Sequence, residues 1–392
     1  MPAEPFTIAV PQKNLDDLRS RLLLTRWPDH VQAGWDYGTD PAYLRELVDY
    51  WIERFDWRLQ ERRLNAFPHF RATVDHFGLH FIHQRGVGLQ RMPLLLLHGW
   101  PGSFVQMLDL IPLLTDPNSH DGDPSDAFDV VVASLPGYGF SDQPTAPGMS
   151  EARMADLFHR LMTETLGYPR YAVRGGDWGG GILAHLASSY PVAIIGTHTG
   201  GTSPHIDEVP NDLSLAEREY IENVRRWRAA EVGYSQEQST KPQTLATALN
   251  DSPAGLASWI IEKYRRWSDC EGDVETRFSK DDLLTNVMIY WITQTIGSSI
   301  RLYYESVGDP PLQDSIVPAS FLMSPKDMFR TPKEWIARTA RIDRWTEIDS
   351  GGHFLEWEEP HLVAADLRAF FPRAVMKSRQ PTTGRPEQQQ SP

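Results

Sequence analysis

Arg174-Gly175-Gly176-Asp177-Trp178-Gly179-Gly180 is the most informative stretch of the sequence. It follows the apolar run 171–173 and leads into 182–186, which has the composition of a helix. Small residues on both sides of one polar residue, between a strand and a helix, are typical of a nucleophile elbow. In such an elbow a sharp turn lifts one side chain above a sheet. Glycine is favoured there because the turn is strained and neighbouring backbone passes close by.

The apex of this turn is Asp177, whereas serine is the usual residue at that place. A carboxylate nucleophile attacks an electrophilic sp3 carbon and forms an alkyl ester with the enzyme. Epoxides and alkyl halides are the natural substrates for such an attack. The alternative is a glycine-rich turn in which Asp177 merely caps the following helix, since aspartate is a preferred N-cap residue.

The composition predicts a soluble cytoplasmic protein with a large core. The 392 residues are 41% apolar and carry a net charge of −14, which opposes binding to nucleic acid or anionic membranes. The single cysteine, Cys270, excludes an internal disulfide. The first ten residues lack the basic and apolar regions of a secretory signal, and no apolar run approaches the roughly 20 residues of a membrane span.

Apolar runs of strand length recur from residue 92 onward, and helical stretches separate them. This texture predicts a parallel sheet covered on both faces. Together with the elbow it favours the α/β class and, within it, the α/β-hydrolase fold. The predicted strands are Leu94–Leu97, Val130–Ala133, Tyr171–Val173, Val192–Ile195, Phe321–Met323 and Trp345–Ile348.

Five segments separate along the chain. Residues 1–90 are predicted to form an N-terminal extension that wraps the core, with two helices and a hairpin. Residues 91–202 and 311–372 supply the sheet, and an all-helical segment, 203–310, has the form of a lid. The tail 373–392, rich in Pro, Gln and Thr, is predicted to be disordered. The extension has helices at Leu15–Leu24 and Tyr43–Phe55, and hairpin strands at Phe70–Val74 and Leu79–Ile82.

Three long helices are predicted in the lid segment. Ser214-Leu215-Ala216-Glu217 has the form of a capping box, which opens a helix. Asp251-Ser252-Pro253 places a cap and a first-turn proline before the second helix. The third is predicted to run from Asp281 to Tyr304.

An α/β-hydrolase sheet presents its catalytic residues in the order nucleophile, acid, histidine. His353 lies in Gly351-Gly352-His353-Phe354, directly after a predicted strand, and Asp327 follows the strand before it. Histidine at that place can take a proton from water, and the acid can fix its tautomer and stabilise the imidazolium. The sequence therefore pairs His353 and Asp327 with Asp177.

The glycine-rich turn 98–103, HGWPGS, follows the strand Leu94–Leu97. Such a turn brings a backbone N–H towards the nucleophile, and the N–H groups of Trp100 and Trp178 are predicted to form an oxyanion hole. An ordinary strand-to-helix turn is the alternative. His98 precedes the turn and is predicted to be a structural hydrogen-bonding residue. Ser103 lacks the flanks of an elbow and is not predicted to be a nucleophile.

Opening an epoxide also requires acid donors for the alkoxide that forms. Tyrosine supplies a neutral O–H donor on a stiff ring. The chain has 13 tyrosines, and chemistry alone does not select among them.

Over roughly residues 5–372 the sequence resembles the epoxide hydrolases of the microsomal and fungal type, which have a characteristic N-terminal segment. Several of the motifs that carry this resemblance are long and specific to the family. They are HGWPGS at 98–103, LPGYGFSD at 135–142, GGDWGG at 175–180, STKPQT at 239–244, NDSPAGL at 250–256, DDLLTNVMIYW at 281–291 and GGHFLEWEEP at 351–360.

The resemblance implies Asp177 as nucleophile, the charge-relay pair His353 and Asp327, and two lid tyrosines as ring-opening acids. Tyr234, just before STKPQT, takes the place of the first tyrosine. Counting from DDLLTNVMIYW favours Tyr303 as the second, with Tyr304 as the alternative. Some relatives have glutamate where this chain has Asp327, and either carboxylate can serve.

The resemblance predicts an enzyme that converts an epoxide to a vicinal diol without cofactor or metal. Its predicted partners are a small-molecule epoxide and water, with no nucleic acid and no membrane anchor. The oligomeric state is left open, with a homodimer as one alternative. Membrane-bound relatives begin with an apolar anchor, which this chain lacks, so it resembles a soluble bacterial member. Xenobiotic degradation and natural-product biosynthesis, including that of enediyne antibiotics, are both open settings.

Two other functions are weighed against this one. A haloalkane dehalogenase shares the aspartate nucleophile and the following tryptophan, but it has no use for paired lid tyrosines or a long N-terminal segment. A catalytically silent α/β-hydrolase fold that acts as a binding protein typically lacks a triad residue. A serine esterase is disfavoured because Asp177 is not serine.

Overall fold

A computed structural model describes residues 2–32, 34–88, 91–120, 122–200, 209–312 and 315–378, with the side chains of 372–378 left aside. Its strands form one nine-stranded sheet in the order β1-β2-β3-β5-β4-β6-β7-β8-β9. The strands are β1 Glu4–Phe6, β2 His69–Val74, β3 Phe77–Gln84, β4 Met92–Leu97, β5 Phe128–Ala133, β6 Tyr171–Gly175, β7 Ile194–Thr199, β8 Ala319–Met323 and β9 Arg344–Glu347.

The six strands β4 to β9 are parallel, as the apolar runs predict. Every residue of β5, β6, β7 and β8 is buried, so both faces of the sheet are covered at these strands. The predicted strand at 192–195 begins two residues later, at Ile194. Val192 is 85% exposed in the turn that precedes it.

The N-terminal extension contributes both strands and helices. The predicted hairpin is β2 and β3, and β3 pairs antiparallel with β5, so the extension continues the main sheet. Strand β1 and a third helix were not predicted. The helices are α1 Gln12–Leu23, α2 Pro41–Glu53 and α3 Trp57–Leu64.

The helices of the sheet segments pack on the sheet and on one another. Helix α6 packs on β4, β6 and β7, α5 packs on α6, and α15 packs on α4 and β7. Helix α15 extends to Ser378, and the rest of the predicted tail lies outside the described residues. The ranges are α4 Leu110–Thr115, α5 Glu151–Arg160, α6 Trp178–Ser189, α13 Lys333–Ile336, α14 Leu355–Glu358 and α15 Pro360–Ser378.

Among the described residues between β7 and β8 there are six α-helices, which together with the loops that join them we call the helical insertion. They are α7 Leu215–Glu231, α8 Gly233–Thr240, α9 Pro242–Asp251, α10 Pro253–Trp267, α11 Lys280–Thr293 and α12 Ile296–Glu305. The capping box at Ser214 and Glu217 opens α7, and Ser252 caps α10, as predicted. Helices α8 and α9 were not predicted.

The prediction of one long helix from Asp281 to Tyr304 was wrong. The helix is interrupted at Gln294, whose left-handed backbone angles (φ 55°, ψ 35°) end α11. Helix α12 then begins at Ile296. The apolar pattern continues through the break because both helices are packed on buried faces, so periodicity did not reveal it.

The N-terminal extension contacts the helical insertion directly. The hydroxyl of Tyr50 donates to Asp281 at 2.9 Å, and Arg63 pairs with Asp282 at 2.7 Å. The extension therefore joins the sheet on one side and the insertion on the other. Among the described residues, no helix is both long and apolar enough to cross a membrane.

Candidate active site

Asp177 lies between the end of β6 and the first residue of α6, with φ 51° and ψ −129°. A positive φ is uncommon for a residue with a side chain, and it marks the strained turn that the elbow motif predicts. A β-carbon at Gly179 would lie 2.4 Å from the carbonyl oxygen of Leu97, so the neighbouring strand leaves room only for glycine. The side chain of Asp177 makes no capping hydrogen bond to α6. The alternative of a simple N-cap was therefore wrong.

His353 lies between two carboxylates. Its Nδ1 is 2.9 Å from Oδ1 of Asp327, and its Nε2 is 3.4 Å from Oδ2 of Asp177. The loop that carries His353 follows β9, and Asp327 follows β8, at the same carboxyl edge of the parallel sheet. The structure thus brings together the three residues that the strand order predicted.

The electrostatics of His353 follow from this position. Burial acts to lower the pKa of its imidazole, but the negative charges of Asp327 and Asp177 outweigh burial and raise the pKa to about 10. The position between Asp327 and Asp177 therefore favours the protonated form of His353 at neutral pH.

The turn 98–103 brings the backbone of Trp100 to the same place. The N–H of Trp100 donates to Oδ1 of Asp177 at 2.8 Å, and the Trp100–Pro101 peptide bond is cis. Trp178, the other predicted donor, is the first residue of α6 and directly follows Asp177.

His98 and Ser103 have structural contacts, as expected for both. The Nε2 of His98 accepts from the N–H of Leu135 at 3.3 Å, and its Nδ1 lies 3.1 Å from the carbonyl oxygen of Gly99. The hydroxyl of Ser103 donates to Asn286 at 2.7 Å.

Asp177 raises the pKa of four buried tyrosines, each of which is affected first by burial itself. Two of them donate their hydroxyls to backbone carbonyls: Tyr138 to Ser299 and Tyr290 to Gly102. The other two are Tyr234 and Tyr303, the pair that the family resemblance implies.

Tyr234 and Tyr303 are in edge-to-face contact, with ring centroids 6.0 Å apart and ring planes at 83°. Tyr234 is stacked on Trp100 at 5.5 Å, and Tyr303 lies edge-on to Trp178 at 4.6 Å. Tyr304, the alternative to Tyr303, is 57% exposed.

Glu358, for which no role was predicted, holds the loop that carries His353. Its carboxylate accepts from the N–H groups of Gly352 and Phe354, both at 3.0 Å, on either side of His353. It also accepts from the N–H of Asp269, in the helical insertion, at 2.7 Å. Glu358 therefore ties the histidine loop to the insertion. The signal was present in the motif GGHFLEWEEP, where acidic residues occur within an apolar helical turn.

Trp267 and Arg174 were missed as well. The backbone carbonyl of Trp267, at the end of α10, accepts from the N–H of His353 at 2.8 Å, and the two rings are 5.4 Å apart. Arg174, on β6, pairs with Glu356 at 2.9 Å, and both side chains are almost fully buried. Each contact fixes the histidine loop relative to the strand or the insertion.

Comparison with known proteins agrees with this geometry. Residues 3–107 match the family model described as "Epoxide hydrolase N terminus", and residues 92–360 match the model of the alpha/beta hydrolase fold. Epoxide hydrolase 1 of Sus scrofa is 34% identical over 403 residues, which cover 93% of this chain and 88% of the pig protein. The chain belongs to the epoxide hydrolase family.

Other members of the family are similar over nearly their whole length. A Stigmatella aurantiaca protein that carries the provisional name epoxide hydrolase is 43% identical over 371 residues, which cover 94% of this chain and 84% of the relative. The solved structure of the Aspergillus niger epoxide hydrolase superposes with a TM-score of 0.85 at 30% identity, covering 95% of this chain and 97% of the fungal one. Both the N-terminal extension and the helical insertion are thus part of the shared architecture.

Proposed function

We propose that this epoxide hydrolase converts its epoxide to a vicinal diol through a covalent alkyl ester on Asp177. The observation that carries the proposal is the placement of His353 between Asp177 and Asp327. Tyr234 and Tyr303 lie close enough to Asp177 for its charge to raise their pKa. An aspartate at the apex of the elbow attacks one oxirane carbon from behind, and the carbon–oxygen bond on the far side breaks. Epoxide-to-diol hydrolysis is the known reaction of the family.

Tyr234 and Tyr303 act in the first step of the proposed mechanism. Their phenols donate hydrogen bonds to the ring oxygen, and one of them gives its proton to the alkoxide as the ring opens. Burial and the charge of Asp177 raise the pKa of both phenols, so they enter the step as neutral donors. The helical insertion acts as a lid because it supplies both tyrosines.

Ester formation changes the state of His353. The charge of Asp177 disappears when the ester forms, and with it one of the two charges that hold the pKa of His353 high. The imidazolium then restores the phenol through solvent and becomes a neutral base. The first step thereby prepares the second.

His353 then takes a proton from water, and the hydroxide attacks the ester carbonyl. The N–H groups of Trp100 and Trp178 hold the oxyanion. When the intermediate collapses, the departing alkoxide takes a proton from the imidazolium and leaves as the diol. The proton of the new carboxylic acid returns to His353, which restores the starting charges without cofactor or metal.

The experiment that tests the function is turnover of a small panel of epoxides, including styrene oxide, with chiral analysis of the diols. We expect diol from at least one epoxide and none with Asp177→Asn. A matched panel of chloro- and bromoalkanes tests the dehalogenase alternative through halide release, and we expect none. Halide release without diol formation would overturn the proposal.

The same panel addresses the biological setting. An enzyme of xenobiotic degradation accepts many small epoxides, whereas a biosynthetic enzyme accepts one shape and yields one enantiomer of the diol. Trp100 and Trp267 pack on Tyr234, and Trp178 packs on Tyr303. Aromatic rings around the two proposed acids favour an aryl epoxide. The proposal also includes a cytoplasmic location, which cell fractionation tests. It includes a homodimer, which size-exclusion chromatography tests.

A further inference from the structure

Three side chains with metal-binding atoms meet where the helical insertion rejoins the sheet segment. Glu151 is the first residue of α5, His185 lies on α6, and Asp309 closely follows α12. One oxygen of each carboxylate and one ring nitrogen of the histidine all lie within 4.8 Å of one another.

His185 is an unusual buried histidine. It is 8% exposed, and among the described residues its ring makes no hydrogen bond; its polar contact is Nε2 to Oδ2 of Asp309 at 3.9 Å. Buried polar groups normally have a closer partner. A neutral imidazole nitrogen is a common ligand of transition-metal ions.

The two carboxylates lack a compensating cation. Within the described residues, neither Glu151 nor Asp309 pairs with a lysine or arginine; Asp309 accepts one backbone N–H, from Ala152, at 3.3 Å. Two adjacent carboxylates with no cation are stabilised by a shared proton or by a bound cation.

The backbone leaves room for the carboxylate of Glu151 beside His185. A β-carbon at Gly181, one helical turn before His185, would lie 1.5 Å from Oε1 of Glu151. Any other residue at that position would displace Glu151 from the cluster. Glycine in the middle of a helix is otherwise unfavourable. The close approach of Glu151 explains why glycine occupies position 181 in α6.

We propose that Glu151, His185 and Asp309 bind one divalent transition-metal cation of the Zn²⁺, Mn²⁺ or Co²⁺ class. One imidazole nitrogen and two carboxylate oxygens form a mixed ligand set that suits these ions better than Mg²⁺, which prefers oxygen alone. Ligand atoms about 2.0–2.2 Å from a metal lie roughly 3–4 Å from one another, so the three side chains need to close by only about 1 Å.

The position of the cluster gives the ion a structural role. Glu305 already accepts from the N–H of Gly148 at 2.7 Å, and Ser306 accepts from the N–H of Glu151 at 3.3 Å. A cation bound to Asp309 would add a link from the segment that follows α12 to α6, the helix that begins directly after Asp177. The ion would fasten the insertion to the core and take no part in the reaction.

The test uses the full chain stripped of metal with a chelating resin. Calorimetric titration with ZnCl2, MnCl2 and MgCl2 should show one equivalent of Zn²⁺ or Mn²⁺ bound, and Mg²⁺ more weakly. His185→Asn and Asp309→Asn should each weaken binding at least about 10-fold. His361→Asn, which removes an exposed histidine from α15, should leave binding unchanged. Bound Co²⁺ should show a visible absorption spectrum that His185→Asn abolishes.

Folding is checked alongside binding. Zn²⁺ should raise the melting temperature of the wild type and of His361→Asn, and should not raise that of His185→Asn. Gly181→Ala gives a second route, since it displaces Glu151 while it keeps all three ligands, and it should also weaken binding. Wild-type protein that binds no transition metal, or binding that is equal in His185→Asn, would overturn the proposal. A wild type without metal affinity and a Glu151→Gln variant of undiminished stability would show that a proton occupies the cluster instead.

Discussion

Nε2 of His353 lies 3.4 Å from Oδ2 of Asp177, so the proposed base and the proposed nucleophile form an ion pair before substrate binds. The charge of Asp327 and this pair together raise the pKa of the imidazole to about 10, against the effect of burial. A protonated histidine cannot activate water. In the proposed mechanism the imidazole therefore becomes a base only after Asp177 has reacted.

Replacing the histidine should separate the two chemical steps. His353→Gln should still form the ester, because Asp177 and the tyrosines remain, but it should hydrolyse the ester about 10²–10⁴-fold more slowly, the usual contribution of a general base. Intact-protein mass spectrometry should show an adduct of the mass of the substrate. His361→Asn is the control and should turn over normally. A folded His353→Gln protein that forms no adduct, or that hydrolyses it at the wild-type rate, removes His353 from this role.

The origin of the diol oxygen tests covalency. In a single turnover in oxygen-18 water, the oxygen that Asp177 delivers to the diol should be unlabelled, and the label should remain in the carboxylate of Asp177. Peptide mass spectrometry locates the label in the protein. Label that appears in the diol alone would mean direct attack by water, and the ester mechanism would be wrong.

The raised pKa of His353 also predicts how stability depends on pH. Its folded-state pKa of about 10 exceeds the ordinary value of 6.5, so its contribution to stability is complete below pH 6.5 and is lost as the pH rises through about 10. The free energy of unfolding of the wild type should therefore fall relative to His353→Gln by up to about 1.4 kcal/mol per pH unit in this window. Urea titrations at pH 6, 8 and 9.5 measure the difference. Parallel curves for the two proteins would contradict the ion pair.

The places of Asp177, Asp327 and His353 were predictable from the sequence because each follows a strand of a parallel sheet. Strands β6 and β8 are largely apolar, and the glycines at 351–352 follow β9, so the order of the three residues could be read before the sheet was known. Their convergence then follows from parallel strands, whose carboxyl ends meet at one edge.

The tyrosines and the helical insertion were harder to predict for a physical reason. All 13 tyrosines have the same side-chain chemistry, so the sequence does not separate them. Of the four whose pKa Asp177 raises, Tyr138 and Tyr290 differ from Tyr234 and Tyr303 because their hydroxyls donate to backbone carbonyls, which only the structure reveals. Likewise the break at Gln294 is a matter of tertiary packing, since glutamine has no local preference for left-handed angles. Motif resemblance selected the two tyrosines, whereas the break was missed because the apolar periodicity continues through it.

Glu358 should couple the histidine loop to the insertion. Both carboxylate oxygens accept backbone N–H groups, so Glu358→Gln turns an amide NH2 towards at least one donor and leaves it unsatisfied. We expect a loss of about 1–3 kcal/mol in the free energy of unfolding. Ester hydrolysis should slow more than ester formation, because only hydrolysis depends on His353. Glu164→Gln, at an exposed pair with Arg160, is the matched control and should change neither. Equal slowing of both steps would show a general loss of structure.

The paired tyrosines give the sharpest test of the first step. If two phenols share the developing alkoxide, each should contribute about 3–4 kcal/mol, the range for one oxyanion donor, so Tyr234→Phe and Tyr303→Phe should each slow ester formation about 10²–10³-fold. The double variant should form no ester although Asp177 remains. Tyr304→Phe is a control one residue away: its ring is 57% exposed, roughly 100° around the helix from Tyr303, and its loss should leave the rate unchanged. Single-turnover kinetics with an adduct trapped by His353→Gln measure ester formation directly. A slow Tyr304→Phe beside a fast Tyr303→Phe would shift the assignment by one residue, and normal rates in all three single variants would remove the tyrosines from the mechanism.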